Sequence, residues 1–284
     1  MMRVKFVKMN GAGNDFVTID NRDGRIRFNG GEIEALCDRR RGVGADGVLL
    51  IENEPGLDFR MRYYNRDGRE AEMCGNGARC LAWFAADLGL GSEKDGGISL
   101  RFGTVPGPMG AIVVGTRVTI EMTDATSMEK GVSLDLADRA EIVHVINTGV
   151  PHAVVEEHNV DAMADAEIVE RGRQIRLHPR FAPNGTNVNF ISRAGDSVNI
   201  RTYERGVEEE TLACGTGAVA GAVVAAELGW ATSPVKLSTR GGEDLVVSFD
   251  SSPGGANKVR LAGPTAVNFQ GSMELPVEGS ANGV

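Results

Sequence analysis

Two stretches of this chain share one layout. "EMCGNGARCLAWFAADLG" (Glu72–Gly89) and "ETLACGTGAVAGAVVAAELG" (Glu210–Gly229) each run from an acidic lead-in through Cys-Gly-polar-Gly into an apolar run of mostly small residues that closes on Leu-Gly. Tyr64 lies ten residues before Cys74, and Tyr203 eleven before Cys214. Around each turn the order helix, strands, turn, helix, strands recurs. A chain that builds the same turn twice in matching surroundings is constrained to fold as two versions of one unit. The period is about half of the 284 residues, too long for a stacked-repeat solenoid and suited to a duplicated domain.

The elements follow from periodicity. "RVKFVKM", "GNDFVTIDN", "GVLLIE" and "DFRMRYYN" read as strands, the last two parted by the turn "NEPG". "GGEIEALCDRRRG" places Ile33, Leu36 and Cys37 at helical spacing, with Gly42 as the expected stop. "RDG" supplies a hairpin turn before the first cysteine, and the helix after it is expected to reach about Leu88. "GISLRF", "MGAIVVG" and "RVTIEM" complete the first half. A polar linker is expected at Thr123–Gly131. Beyond it come the strands "AEIVHVINTGV" and "HAVVE", the helix "DAEIVERGRQIRLHP", the strands "GTNVNFIS" and "SVNIRTYE", the second turn with its helix, and three more strands. The expected domains are 1–123 joined by a C-terminal strand at 265–276, and 124–264, with 277–284 a frayed tail.

Composition narrows the function. A net charge of −9 argues against nonspecific nucleic-acid binding, and the basic "CDRRRG" reads as a solvated helix end. The longest apolar run, Gly217–Trp230, is too short to span a bilayer and carries Glu227, so no membrane partner is expected. The N-terminus lacks the pattern of a signal peptide. Four cysteines in so long a chain do not make a disulfide framework, and reduced thiols in a cytoplasmic protein are expected.

The turn itself has a chemistry. The first N–H groups of a helix lack intrahelical partners and point outward with the positive end of the dipole. They stabilise a thiolate placed there and offer a carboxylate site, while glycines let a ligand approach closely. Each copy would supply a reactive sulfur beside an anion hole. In a pseudo-twofold arrangement a ligand would have one sulfur on each side, which is what inversion at a carbon needs: one thiolate takes a proton from one face and the other thiol returns one to the opposite face. Cys74 and Cys214 are the candidates. Cys37 and Cys80 lack the turn and read as core. No Cys or His spacing supports a zinc site. "GVGADG" (Gly42–Gly47) has the letters of a dinucleotide loop, but a helix precedes it and a strand follows, so it is rejected.

"MNGAGNDFV", "GVGADG", "YNRDGREAEMCGNGARC", "GVPHAV", "GTNVNFI" and "YERGVEEETLACGTGA" occur in the order seen in the diaminopimelate epimerase family, which this chain resembles over nearly its whole length. The resemblance implies an α+β fold of two pseudo-symmetric α/β domains, each a β-sheet wrapped around a central helix. It implies cofactor-independent interconversion of LL- and meso-diaminopimelate, in lysine and peptidoglycan precursor synthesis, by a homodimer. Cys74 and Cys214 become the acid/base thiols, with His152 and Glu204 beside them in catalysis. Asn14, Asn65 and Asn187 match substrate binders. Glu204 and Arg205 match the pair that meets the distal ammonium and carboxylate, and Gly75, Asn76, Gly215 and Thr216 match the donors to the α-carboxylate. No metal and no cofactor is implied. Val150 stands where many members have a substrate-touching asparagine, and Gly47 where some have a glutamine. The alternative within the fold is a proline or hydroxyproline racemase, whose turn carries histidine where this chain has Asn76. A non-catalytic small-ligand binder is the alternative of another class, and the retention of both cysteines speaks against it.

Overall fold

The computed structural model describes residues 2–275 except 72, 95 and 138. The tail 277–284, expected to fray, lies outside them. The described residues divide into two compact units, one drawn from Met1–Val118 with Thr265–Val284 and the other Thr119–Pro264.

The first unit opens with β1 (Met2–Gly11), β2 (Asn14–Asp20), α1 (Gly30–Cys37), β3 (Gly47–Glu52) and β4 (Phe59–Asn65). It continues with α2 (Gly75–Asp87), β5 (Ser92–Lys94), β6 (Gly97–Thr104) and β7 (Gly107–Val114). The unit boundary falls within β8 (Arg117–Glu121). The second unit carries β9 (Thr126–Asp135), β10 (Ala140–Asn147), β11 (Pro151–Glu156), α3 (Asp165–Arg176), β12 (Asn187–Ala194), β13 (Ser197–Glu204) and β14 (Glu209–Thr211). After α4 (Gly215–Glu227) come β15 (Val235–Thr239), β16 (Asp244–Ser252) and β17 (Gly255–Pro264). The last strand, β18 (Ala266–Leu275), pairs antiparallel with β1 and so completes the first unit.

The same topology is built in both units. β2 and β3 run parallel and β3 and β4 antiparallel, as do β11 with β12 and β12 with β13. In each case a short helix covers one face of the trio. α1 buries Ile33, Leu36 and Cys37 against Val17, Ile19, Val48 and Leu50. α3 buries Ile168 and Ile175 against Val188, Phe190 and Tyr203. Gly172 lets α3 come this close, because a Cβ there would lie 2.5 Å from that of Tyr203. The other face receives the central helix. α2 packs against β1, β2, β3, β4, β6 and β7, and α4 against β10–β13 and β15–β17, so each sheet wraps its helix. This explains the compositions. β3 is apolar on both faces because both are covered. Every residue of α4 from Gly217 to Ala225 is buried, which a helix without a polar face requires. Among the described residues no helix is long and apolar enough to cross a membrane.

Three readings from sequence are corrected. Most of the supposed linker is β9, paired antiparallel with β10 from Ala140↔Asp135 to Asn147↔Thr126. Its residues are largely exposed, so it lacks the apolar alternation that marks a strand. Helix α1 stops at Cys37 rather than at Gly42. The Asp38 carboxylate accepts the N–H groups of Arg40 and Arg41 and turns the chain, while Gly42 folds back where a Cβ would meet the Ala35 carbonyl at 2.1 Å. The basic stretch is also more than a solvated end, since Arg39 forks onto Asp15 and reaches Asp46.

Candidate active site

In the first unit Cys74 is the N-cap of α2, half-buried, with its sulfur accepting from the Gly77 N–H at 3.5 Å. The same sulfur lies 3.5 Å from Asn14 Oδ1, to which the thiol donates. One neighbour therefore suits the thiolate and the other the thiol. Asn14 is itself oriented, because its amide donates to Asp46 Oδ2 at 2.8 Å. Asp46 is held by Arg39, and Asp15 by Arg39 and Lys8. Burial alone would raise the Asp15 carboxyl, but hydrogen bonds from Arg39 and Lys8 hold it well below the usual carboxylate range. The Arg66 N–H donates to the Asp46 carbonyl, which brings the end of β4 and Asn65 to the same corner. Asn65 Oδ1 accepts the Tyr63 hydroxyl at 2.6 Å. The Asn76 side chain turns inward, accepting at 2.8 Å from Arg79, a fully buried guanidinium. That leaves the backbone of Gly75 and Asn76 as what this turn can offer a ligand.

In the second unit Cys214 is the N-cap of α4, half-buried, with its sulfur 3.4 Å from Thr216 Oγ1. The Thr216 carbonyl accepts from Thr148 at 3.2 Å. Asn187 accepts the Arg205 N–H at 2.9 Å and donates to the Pro151 carbonyl at 3.3 Å, so its side chain braces the start of β11 against the end of β13. Glu204 closes β13. Burial pushes its carboxyl above the ordinary value, and the Thr211 hydroxyl partly offsets this. His152 is fully buried, with Nδ1 2.9 Å from Asn189 Nδ2. Burial, aided by the charge of Arg205, pushes it down to about 3. Val150 is half-buried in the turn between β10 and β11, and its carbonyl accepts the Thr148 N–H.

Strand register equates the two halves residue by residue. Phe16 pairs with Gly47 as His152 pairs with Asn187. Leu49 opposes Tyr63 as Asn189 opposes Thr202. Tyr64 thus corresponds to Tyr203, and Asn65 to Glu204. Beneath the first turn a Cβ on Gly77 would meet Leu49 and Phe16, at 3.2 and 3.5 Å. Beneath the second a Cβ on Gly217 would meet Asn189 Oδ1 at 2.3 Å and Thr202 Oγ1 at 3.3 Å. One frame is lined with apolar and aromatic side chains, the other with His152, Asn189 and Thr202.

Sequence reasoning missed Lys8, Asp15, Arg39 and Asp46, which orient Asn14, and Asn189 with Thr202, which hold His152. The motif "GTNVNF" displayed Asn189, and its period-two relation to Asn187 puts both on one face of β12. Gly47 permits close packing, since a Cβ there would lie 2.5 Å from the Tyr64 carbonyl. Cys37 behaves as core, its thiol pushed up to about 11 by burial.

Solved proteins that include racemases and epimerases share this two-unit fold. A probable proline racemase from Agrobacterium radiobacter superposes with a TM-score of 0.74 at 16% identity, covering 98% of this chain and 94% of that one. A hydroxyproline epimerase from Agrobacterium vitis gives 0.71 at 14% identity, covering 96% and 91%. The sequence is more specific. A family model described as diaminopimelate epimerase matches residues 6–126 and 144–256. A protein named diaminopimelate epimerase from Chlorobaculum tepidum is 40% identical over 94% of this chain and all of its own length. Another from Aquifex aeolicus is 40% identical over 96% of this chain and 99% of its own. The chain belongs to the diaminopimelate epimerase family.

Proposed function

We propose that this protein interconverts LL- and meso-diaminopimelate by proton transfer at the α-carbon, with Cys74 and Cys214 as the two acid/base groups and with no cofactor. The observation that carries this reading is the repeated placement of a half-buried cysteine at the N-cap of a central helix, once in each unit. A thiol so placed has the helix N-terminus to steady its anion, and the N–H groups beside it can take a carboxylate. The substrate carries a second amino-acid end. Glu204 and Arg205 supply a carboxylate for its ammonium and a guanidinium fork for its carboxylate, and Asn14, Asn65 and Asn187 complete the polar set. A proline-type substrate has no such distal end. The enzyme works in the cytoplasm as a homodimer, in lysine and peptidoglycan precursor synthesis, a setting supported by the family resemblance.

The test is a direct assay of protein dialysed against chelator and free of pyridoxal phosphate. LL-diaminopimelate should be converted to the meso isomer at an undiminished rate, and neither enantiomer of proline should be racemised. Turnover of proline in preference to diaminopimelate would give the function to the alternative. Restoration of activity only by metal or pyridoxal phosphate would refute the two-thiol chemistry.

A further inference from the structure

The inference rests on the reading of His152 as part of the epimerase site. His152 and Asn189 lie diagonally on one face of the parallel pair β11–β12, and Thr202 stands opposite Asn189 on β13. All three are buried, and Asn189 and Thr202 lie beneath the first turn of α4. The orientation of the Asn189 amide follows from its neighbours. Its Nδ2 lies 2.9 Å from His152 Nδ1 and 3.4 Å from the Ala153 carbonyl, while its Oδ1 accepts the Thr202 hydroxyl at 3.0 Å. A carbonyl oxygen can only accept, so the atom near it must be the amide nitrogen. His152 Nδ1 therefore faces an N–H and must be the accepting, unprotonated nitrogen. The ring proton of the neutral imidazole is then on Nε2, which is buried without a hydrogen-bond partner among the described residues.

The fold does not demand this arrangement. At the equivalent positions of the first unit the same frame holds Phe16, Leu49 and Tyr63, and Phe16 and Tyr63 pack edge to face. The polar trio is thus not a packing requirement of the topology, and a buried N–H left open is a donor waiting for an acceptor.

We propose that Asn189, backed by Thr202, is a positioning residue that fixes His152 as the neutral Nε2–H tautomer, so that His152 serves the reaction as a hydrogen-bond donor and not as a base at Nε2. A base there would need its lone pair on Nε2 and its proton on Nδ1, which would set two donors against each other at 2.9 Å. Turning the amide over would set Asn189 Oδ1 against the Ala153 carbonyl. The acceptor missing from Nε2–H arrives with the bound substrate.

Nitrogen-15 NMR of the histidine side chains in the ligand-free protein tests this without turnover, so its outcome is separate from the identity of the substrate. Signals are assigned against single substitutions of His144, His158 and His178. The wild type should show an unprotonated Nδ1 and a protonated Nε2 at His152. A protonated Nδ1 would overturn the proposal whatever the variants do. Asn189→Asp presents an acceptor to Nδ1 and should invert the tautomer, with interconversion of diaminopimelate falling by about 10²-fold, the loss typical of one preorganised donor. Thr202→Val keeps the volume and should relax the preference, giving a mixture of tautomers and a smaller loss. An inverted tautomer with unchanged turnover, or lost turnover with the tautomer and fold unmoved, would also contradict it.

Discussion

A cysteine's setting decides its chemistry, and this chain holds two settings side by side. Cys37 lies in an apolar core cluster and resists ionisation, its thiol pushed up to about 11 by burial. Cys74 and Cys214 cap helices at half-buried positions. Cys74→Ala and Cys214→Ala should each lower interconversion by roughly 10²–10⁴-fold, the usual worth of a proton-transferring group, while Cys37→Ala should leave kcat within a few-fold. Steady-state rates with LL-diaminopimelate check this, and a Cys214→Ala variant at wild-type rate would remove that thiol from the mechanism. His152 makes a second prediction at this scale. Its folded value near 3 lies below the unfolded value of about 6.5, so between these pH values only the unfolded chain binds the proton. Stability is then complete above about 6.5 and is lost as pH falls toward 3. His152→Gln should melt with a shallower loss between pH 6.5 and 4.5 than the wild type. The comparison cancels the opposite contribution of Glu204, whose raised value favours the folded state in acid. Equal acid sensitivity of the two proteins would show that His152 is not held neutral. The motif residues were legible in the sequence because a helix N-terminus fixes what a Cys-Gly-x-Gly turn can do. Asn189 was not, since a buried asparagine in a strand acquires meaning only from what lies across the sheet.

The elements repeat the lesson in packing. Helix α4 was readable because a run of small apolar residues bounded by a capping turn and Leu-Gly admits few other structures. Strand β9 was not, because an exposed strand carries the composition of a loop and is defined by its pairing with β10. Glycines show where elements touch. Gly172→Ala forces a methyl into the Tyr203 side chain at the α3–β13 contact, and should cost about 1–3 kcal/mol of stability. Chemical denaturation checks this, and an unchanged midpoint would mean that the helix can ride outward freely. The turns themselves differ. Gly77→Ala meets the ends of Leu49 and Phe16, which can yield by a few tenths of an ångström, whereas Gly217→Ala meets Asn189 Oδ1 at 2.3 Å. The second substitution should therefore reduce turnover more than the first, and an equal or reversed order would contradict the role given to the polar layer beneath Cys214.

At the scale of the whole chain, one topology has been used twice and lined differently. Register equates Asn65 with Glu204 and Phe16 with His152, so the halves share a frame and line it with different side chains. The duplication was legible from two matching turns, and the family from motifs spread along the chain. The difference in lining was not, because it resides in which side chains share a sheet face. The central claim is that the substrate's α-hydrogen is exchanged for one delivered by a second group. Converting LL-diaminopimelate in deuterium oxide and reading the meso product by NMR tests it most directly. The account predicts a solvent deuteron at the inverted carbon of every product molecule formed in the first turnovers. Product that retains the original hydrogen at that carbon would contradict it.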